Sequence, residues 1–281
     1  MSRINISIVL YNNPMSMLEK AIQSVLNTSL NITLYLIDNS PTDELQILAA
    51  LDSRIEYIPN HSNPGYGTAH NISIRKSIEA KIPYHLVLNP DIYYSQAVIE
   101  EIVNYMDQHS NVGLLMPKIL YPNGDMQYLC KLLPTPLDWF GRFVSNYVYS
   151  DYFKKQNHIF EMRFANFEMP LEVPYLSGCF MFLRTSTVQK AGLFDENIFL
   201  HTEDADLSRR IFEISKNIYY PYVHVYHLHN KEAYRSLKVM FMQIKSIIYY
   251  FNKWGWFFDK KRSLVNMQIK QNSKNCEGNY P

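Results

Sequence analysis

The sequence predicts an α/β fold, a Rossmann-like and mostly parallel doubly wound sheet flanked by helices, with a helical extension at the C-terminus. Three observations carry this. Strand-like and helix-like stretches alternate from the N-terminus to Asp91. The strand-like stretches are near-continuous apolar runs, as in sheets covered on both faces. Each run ends in a polar group, and ligands of such sheets sit beyond the carboxyl ends of the strands.

The elements follow in order. NISIVLY (5–11) reads as a buried strand. Residues 16–29 place Leu18, Ala21, Ile22, Val25 and Leu26 at helical spacing. ITLYLIDNS (32–40) is a second strand, and TDELQILAAL (42–51) a helix capped by Thr42 or Asp43. IEYIPN (55–60) is the third strand, a glycine-bearing turn feeds a helix ending at Ala80, and YHLVLNPD (84–91) is the fourth strand. Residues 125–173 have weak periodicity and many aromatics, the mark of an irregular, partly helical insertion. A strand from Tyr175 to Leu183 follows, then a short helix closed by Gly192. A helix begins near Thr202, a last strand spans 218–229, and a helical period runs from Ala233 to Phe258. The expected division is a main α/β unit over 1–230, itself in two halves, 1–116 and 117–230, then a helical extension over 231–265 and a polar mobile tail over 266–281.

At 281 residues, with 47% hydrophobic and 19% charged, the chain can bury a large core. A net charge of +1 argues against a nucleic-acid partner held by bulk charge. Cys130, Cys179 and Cys276 are odd in number and have no CxxC spacing, so they read as packing residues in a reducing compartment. The opening MSRINISIVLYNN is too short and polar for a secretory leader, and no apolar run reaches the roughly 18 residues of a membrane span. A cytoplasmic protein, soluble or peripheral at the inner face of the membrane, is expected.

Polar groups collect at one sheet edge: Tyr11-Asn12, Asp38-Asn39, Asn63 to Gly67, and Asn89 to Asp91. Asp91 reads either as a turn residue or as a ligand of a hard divalent cation, which often takes only one or two carboxylates beside its substrate's phosphates. Asp38 suits an Asx-turn or an acceptor for a pyrimidine N–H. Asn63, Gly65 and Gly67 make a tight turn or let a nucleotide approach the backbone. In His201-Thr202-Glu203-Asp204-Ala205-Asp206, three carboxylates fall within four positions. They favour a helix dipole capped by Thr202, or a general base beside a second acid. His227 shares a strand face with His229, opposite His224, and can complete a metal site. Leu237, Phe241, Ile244, Ile248 and Phe251 form a stripe suited to docking on the core. With Arg235, Lys238, Lys245, Lys253, Lys260, Lys261, Arg262, Trp254 and Trp256 nearby, the segment also suits a membrane interface.

Taken as an ordered set, these motifs resemble the inverting family 2 glycosyltransferases of the GT-A fold, and their bacterial rhamnosyltransferase-like branch in particular. The set comprises Tyr11-Asn12; Asp38-Asn39-Ser40; Asn63, Gly65, Gly67 and Asn71; LNPD at 88–91; PNGDMQ at 122–127; LSGCFMFLR at 176–184; GLFDENIF at 192–199; Glu203-Asp204; and Pro221 before His227. The resemblance implies that Tyr11, Asn12, Asp38, Asn63, Gly65, Gly67, Asn71 and Asn89 bind the donor nucleotide. It implies Mg²⁺ or Mn²⁺ on Asp91 and His227, Asp204 as catalytic base beside Glu203, and Ser177, Gly178, His201 and Thr202 on the acceptor side. The implied reaction moves a sugar from a nucleotide-sugar donor, dTDP-L-rhamnose by branch, to a lipid-linked saccharide acceptor of a bacterial surface polysaccharide. A UDP-sugar donor is the alternative. Asn89 stands where other members carry the first aspartate of Asp-x-Asp, which motivates a rival reading as a non-catalytic scaffold. A sugar nucleotidyltransferase is disfavoured by Tyr11-Asn12-Asn13-Pro14, which lacks its glycine- and basic-rich loop. A dinucleotide dehydrogenase is disfavoured by the absence of GxGxxG after the first strand.

Overall fold

The computed structural model describes residues 4–139, 151–228 and 237–277. The strands are β1 (Ile4–Leu10), β2 (Ile32–Asp38), β3 (Ile55–Pro59), β4 (Tyr84–Leu88), β5 (Ile92–Tyr93), β6 (Val112–Leu120), β7 (Cys130–Lys131), β8 (Leu171–Glu172), β9 (Tyr175–Leu176), β10 (Phe180–Arg184) and β11 (Lys216–His227). The helices are α1 (Met15–Leu26), α2 (Tyr66–Glu79), α3 (Val98–Gln108), α4 (Asp151–Phe160), α5 (Thr185–Ala191), α6 (Glu203–Phe212), α7 (Leu237–Trp254) and α8 (Lys260–Glu277). The main sheet runs β3-β2-β1-β4-β10-β6-β11-β5, with β8 on β11, and β7 pairs with β9 separately.

β1 to β4 pair in parallel, and every residue of β1 and β4 is buried, as their unbroken apolar sequences require. β10 is antiparallel to both β4 and β6, while β6 and β11 are parallel. One reversed strand therefore sits at the centre, and the carboxyl ends of β2, β4 and β11 share an edge with the start of β10.

Several expectations are corrected. The strand foreseen from Tyr175 to Leu183 is two strands, because the backbone leaves the ladder at Ser177–Cys179 to make contacts described below. The helix foreseen over 42–51 is a 3-10 helix from Glu44 to Leu51, and Asp43 precedes it without capping it. The Asp43 carboxylate instead lies 3.3 Å from His61 Nε2. The period from Ala233 begins, among the described residues, with α7 at Leu237; the helix stops at Trp254, where Gly255 takes a φ of 98°. The tail foreseen over 266–281 is helical as far as Glu277, because α8 docks: Ile269 is buried, and Asn266 both donates to Leu133 O and accepts from Leu133 N–H, each at 2.9 Å. His229 lies outside the described residues.

A chain of buried polar side chains crosses the core between β1, β4 and α2. Ser7 Oγ lies 2.7 Å from His70 Nδ1 and 2.9 Å from His85 Nε2. Ser77 Oγ lies 2.8 Å from His85 Nδ1, accepts from Asn5 Nδ2 and donates to Ser73 O. With its proton on Ser73 O, Ser77 accepts from His85 Nδ1–H; His85 Nε2 then accepts from Ser7, which accepts from His70 Nδ1–H. One proton per imidazole satisfies the chain. Burial lowers the His70 pKa and brings that of His85 down to about 3.

The unfolded chain, with histidines near 6.5, takes up protons before the folded one. Stability is therefore full above pH 6.5 and falls as pH drops toward about 3, by up to about 1.4 kcal/mol per pH unit for each histidine. Urea denaturation at stepped pH measures this, and a Ser7→Ala, His70→Phe, His85→Leu variant that folds should show a shallower slope. An identical slope would remove these histidines from the acid limb.

Candidate functional site

Asp91 follows β4 by a short turn, and its Oδ1 stands 3.2 Å from His227 Nε2 at the end of β11. Gln127 fixes the ring. Its Nε2 donates to His227 O at 2.8 Å and to Leu120 O at 3.3 Å. Carbonyls only accept, so the amide can face only one way, and Gln127 Oε1 is left 2.9 Å from His227 Nδ1. Nδ1 therefore carries the proton. Nε2 is thereby the ring atom that faces the Asp91 carboxylate. An imidazole nitrogen and a carboxylate oxygen are ligand types that a divalent ion takes. Among the described residues no group of three or more His, Cys, Asp or Glu is placed to hold a metal, so further coordination would come from phosphate and water.

Tyr66, the first residue of α2, ties the crevice together. Its hydroxyl is 2.9 Å from both Asn89 Oδ1 and Gly178 O. Asn89, the departure from Asp-x-Asp, thus supplies an acceptor that the fold uses. Burial raises the Tyr66 pKa first, then the charges of Glu203, Cys179, Asp204 and Asp91 around it. The Cys179 thiol is pushed up to about 12, mainly by burial, in keeping with a packing role.

Asp204 sits in the first turn of α6. Its Oδ2 accepts from Gly178 N–H at 2.9 Å, its Oδ1 from Ala205 N–H at 2.8 Å, and Tyr175 OH lies 3.1 and 3.2 Å from the two oxygens. The break at Ser177–Cys179 is what aims Gly178 N–H at Asp204. A side chain at Gly178 would begin 3.1 Å from Asp204 Cβ. Lys131 Nζ lies 3.4 Å from Tyr175 OH. Glu203 is different: it is 5% exposed, and its Oε2 has no hydrogen-bond partner among the described residues. Burial, and then the Asp204 charge, raise its pKa well above the usual carboxylate range.

Other predicted site residues turn inward. Asp38 is fully buried, accepting from Ser40 N–H at 2.9 Å and Tyr57 OH at 2.8 Å, so it shapes the turn after β2. Asn71 clamps a loop: Nδ2 donates to Phe194 O and Oδ1 accepts from Phe194 N–H. Gly65 and Gly67 permit close approach of that same loop. A Cβ on Gly65 would meet Phe199 O at 2.4 Å, and one on Gly67 would meet Phe194 Cβ at 2.8 Å. Asn63 accepts from Asn39 Nδ2, and Asn12 N–H donates to Ser40 Oγ; Tyr11 is exposed. His201 and Thr202, expected on the acceptor side, contact α7. His201 Nε2 is 2.6 Å from Gln243 Nε2, and Thr202 Oγ1 donates to Ser246 O, so it caps nothing. Both residues hold positive φ, 64° and 69°, at the entry to α6.

Sequence reasoning missed Tyr66, Gln127, Lys131 and Tyr175. Gln127 lay within the PNGDMQ block, but nothing in its neighbourhood marks it as the support of a histidine 100 residues away.

A Gly65→Ala substitution should cost about 2 kcal/mol or more, since φ is 105° and the Phe199 carbonyl blocks the methyl. The urea midpoint measures it; an unchanged midpoint would mean that the 192–201 loop yields freely.

The profile described as "Glycosyl transferase family 2" matches residues 6–192. An N-acetylglucosaminyl-diphospho-decaprenol L-rhamnosyltransferase of Mycobacterium tuberculosis is 27% identical over 223 residues, which is 75% of this chain and 71% of the relative. Among solved structures, GalNAc-T7 with UDP, GalNAc and Mn²⁺ superposes with a TM-score of 0.61 at 16% identity, over 82% of this chain and 44% of that one. The mannosyltransferase PcManGT of Pyrobaculum calidifontis, with GDP-Man and Mn²⁺, gives 0.58 at 13% identity, over 90% and 64%. The chain thus spans under half of the first structure and about two thirds of the second, and at these identities the likeness speaks for the fold alone.

Proposed function

Because the chain belongs to glycosyl transferase family 2, we propose that it transfers L-rhamnose from dTDP-L-rhamnose, with inversion, to a hydroxyl of a lipid-linked saccharide, working at a membrane surface through its C-terminal helices. The name of the mycobacterial relative supports the donor and the acceptor class. The observation that carries the reaction is the pairing along one sheet edge: a carboxylate held in place at Asp204, and a cation-seeking pair at Asp91 and His227.

Asp204 takes the proton of the acceptor hydroxyl as that oxygen bonds to the anomeric carbon and the bond from that carbon to the diphosphate oxygen breaks on the opposite face. Gly178 N–H and Tyr175 OH hold the Asp204 carboxylate at one angle through this step. Glu203, buried and with its pKa raised by burial, serves as a neighbour of the acceptor. Asp91 and His227 would hold Mg²⁺ or Mn²⁺, which supplies positive charge toward the departing diphosphate. Gln127, by taking the Nδ1 side of the ring, turns His227 Nε2 toward Asp91 and that ion.

Donor identity is tested by thermal shift with dTDP- and UDP-sugars, with and without Mn²⁺. dTDP-L-rhamnose with Mn²⁺ should give the largest rise in melting temperature, and a larger one with a UDP-sugar would transfer the assignment. Asp204→Asn should lower kcat by about 10²–10⁴-fold while leaving the donor-induced shift in place. Glu203→Gln, which keeps the shape of the side chain, should cost far less; equal losses would take the base role from Asp204. Gln127→Leu should weaken Mn²⁺ binding by about 10–100-fold, read by the paramagnetic resonance of free Mn²⁺. Unchanged affinity would separate this histidine from the metal.

A further inference from the structure

α7 is apolar on two opposite sides. Its inward side buries Gln243, Ser246, Ile247, Tyr250 and Phe251. Most of the stripe expected to dock on the core is exposed instead: Phe241 is 62% exposed, with Ile244 and Ile248 exposed beside it, while Phe251 packs inward. A helix hydrophobic on both sides needs a second apolar medium. Where α7 ends, the chain turns at Gly255 and presents Phe257 and Phe258, 74% and 98% exposed. The turn has a fixed base. Arg262 donates to Gly255 O at 3.2 Å and to Trp256 O at 2.9 Å, and its N–H donates to Asp259, whose carboxylate is buried against Arg209.

Charge selects the medium. Of the eight Lys and Arg between Leu237 and Cys276, Lys253 and Lys261 pair with acids of other segments and Arg262 is buried, while the one acid there, Asp259, is buried against Arg209. Lys245 and Lys260 are exposed beside the apolar residues. A second copy of this surface would bring like charges together, whereas anionic headgroups complement them.

We propose that the outer side of α7, together with the Phe257–Phe258 turn, lies on an anionic bilayer and that α7 is the spacer between that bilayer and Asp204. The opposite side of the same helix touches His201, Thr202 and, through Trp254 Nε1 at 2.8 Å, Asp206. A helix is about 10–12 Å thick, so the acceptor hydroxyl reached by Asp204 belongs to a sugar close to the headgroups. This rests on the lipid-linked acceptor proposed above, but its test does not.

The full chain and a Phe241→Ser, Ile248→Ser, Phe257→Ser, Phe258→Ser variant are floated with vesicles of phosphatidylcholine alone and with 3:1 phosphatidylcholine:phosphatidylglycerol. The melting temperature checks the fold, and single Phe258→Ser serves if the fourfold variant melts early. The wild type should float with the anionic vesicles, and the variant at least tenfold less. Equal flotation of the two proteins, no flotation of the wild type, or a wild-type dimer in light scattering that the variant dissolves would overturn the proposal. The donor-induced melting shift is read on the same samples: its loss with flotation intact would count against the reaction and leave the surface standing.

Discussion

Three carboxylates in the first turn of α6 stand within one helical turn of each other, and like charges that close destabilise a helix unless each is dealt with separately. Glu203 is buried, and burial raises its pKa. Asp204 is held by two backbone N–H groups and the Tyr175 hydroxyl. Asp206, fully buried, is matched by Arg210 and Lys253 at 2.8 Å each and by Trp254. Of the three, Asp204 alone is partly exposed. The rest of the architecture serves this separation: the break between β9 and β10 supplies Gly178, the β7–β9 pair supplies Tyr175, and α7 supplies the cation and indole for Asp206.

The parallel sheet was legible because its signal is local: buried strands are apolar runs, and four of them alternate with helical stretches. The site was legible as an edge, since polar residues after strands fall there in any sheet of this kind. Which of them face a ligand was not. Asn71, Gly65 and Gly67 occur at the expected positions, yet they meet the 192–201 loop, more than 120 residues away, and sequence spacing carries no trace of that contact. The orientation of α7 was hidden for a similar reason. A helix with apolar residues on both sides gives the same period whichever side docks, and here the choice is made by Gln243, Ser246 and Trp254, which pair with groups on and next to α6.

The Asp91–His227 pair shows how much a site can owe to groups that never touch a ligand. Gln127 is oriented by two carbonyls, orients an imidazole, and so decides which nitrogen is available. Tyr66 does comparable work on the other side, joining Asn89 to the turn that positions Asp204. The departure at Asn89 then reads as a local exchange, in which an amide oxygen serves a tyrosine where a carboxylate would serve a metal.

The buried ion pair between Arg209 and Asp259, with Nη1 and Nη2 2.6 and 3.0 Å from the two oxygens, has a consequence for how such a chain can be altered. Arg209 lies on the helix that carries Asp204, and Asp259 lies beyond α7. Removing either side strands a charge in a dry interior, at a cost of about 3–5 kcal/mol. The C-terminal helices are therefore no exchangeable module. A graft from a related enzyme that changes where the chain sits would have to bring a matching partner for Arg209, or it would disturb the helix that carries Asp204.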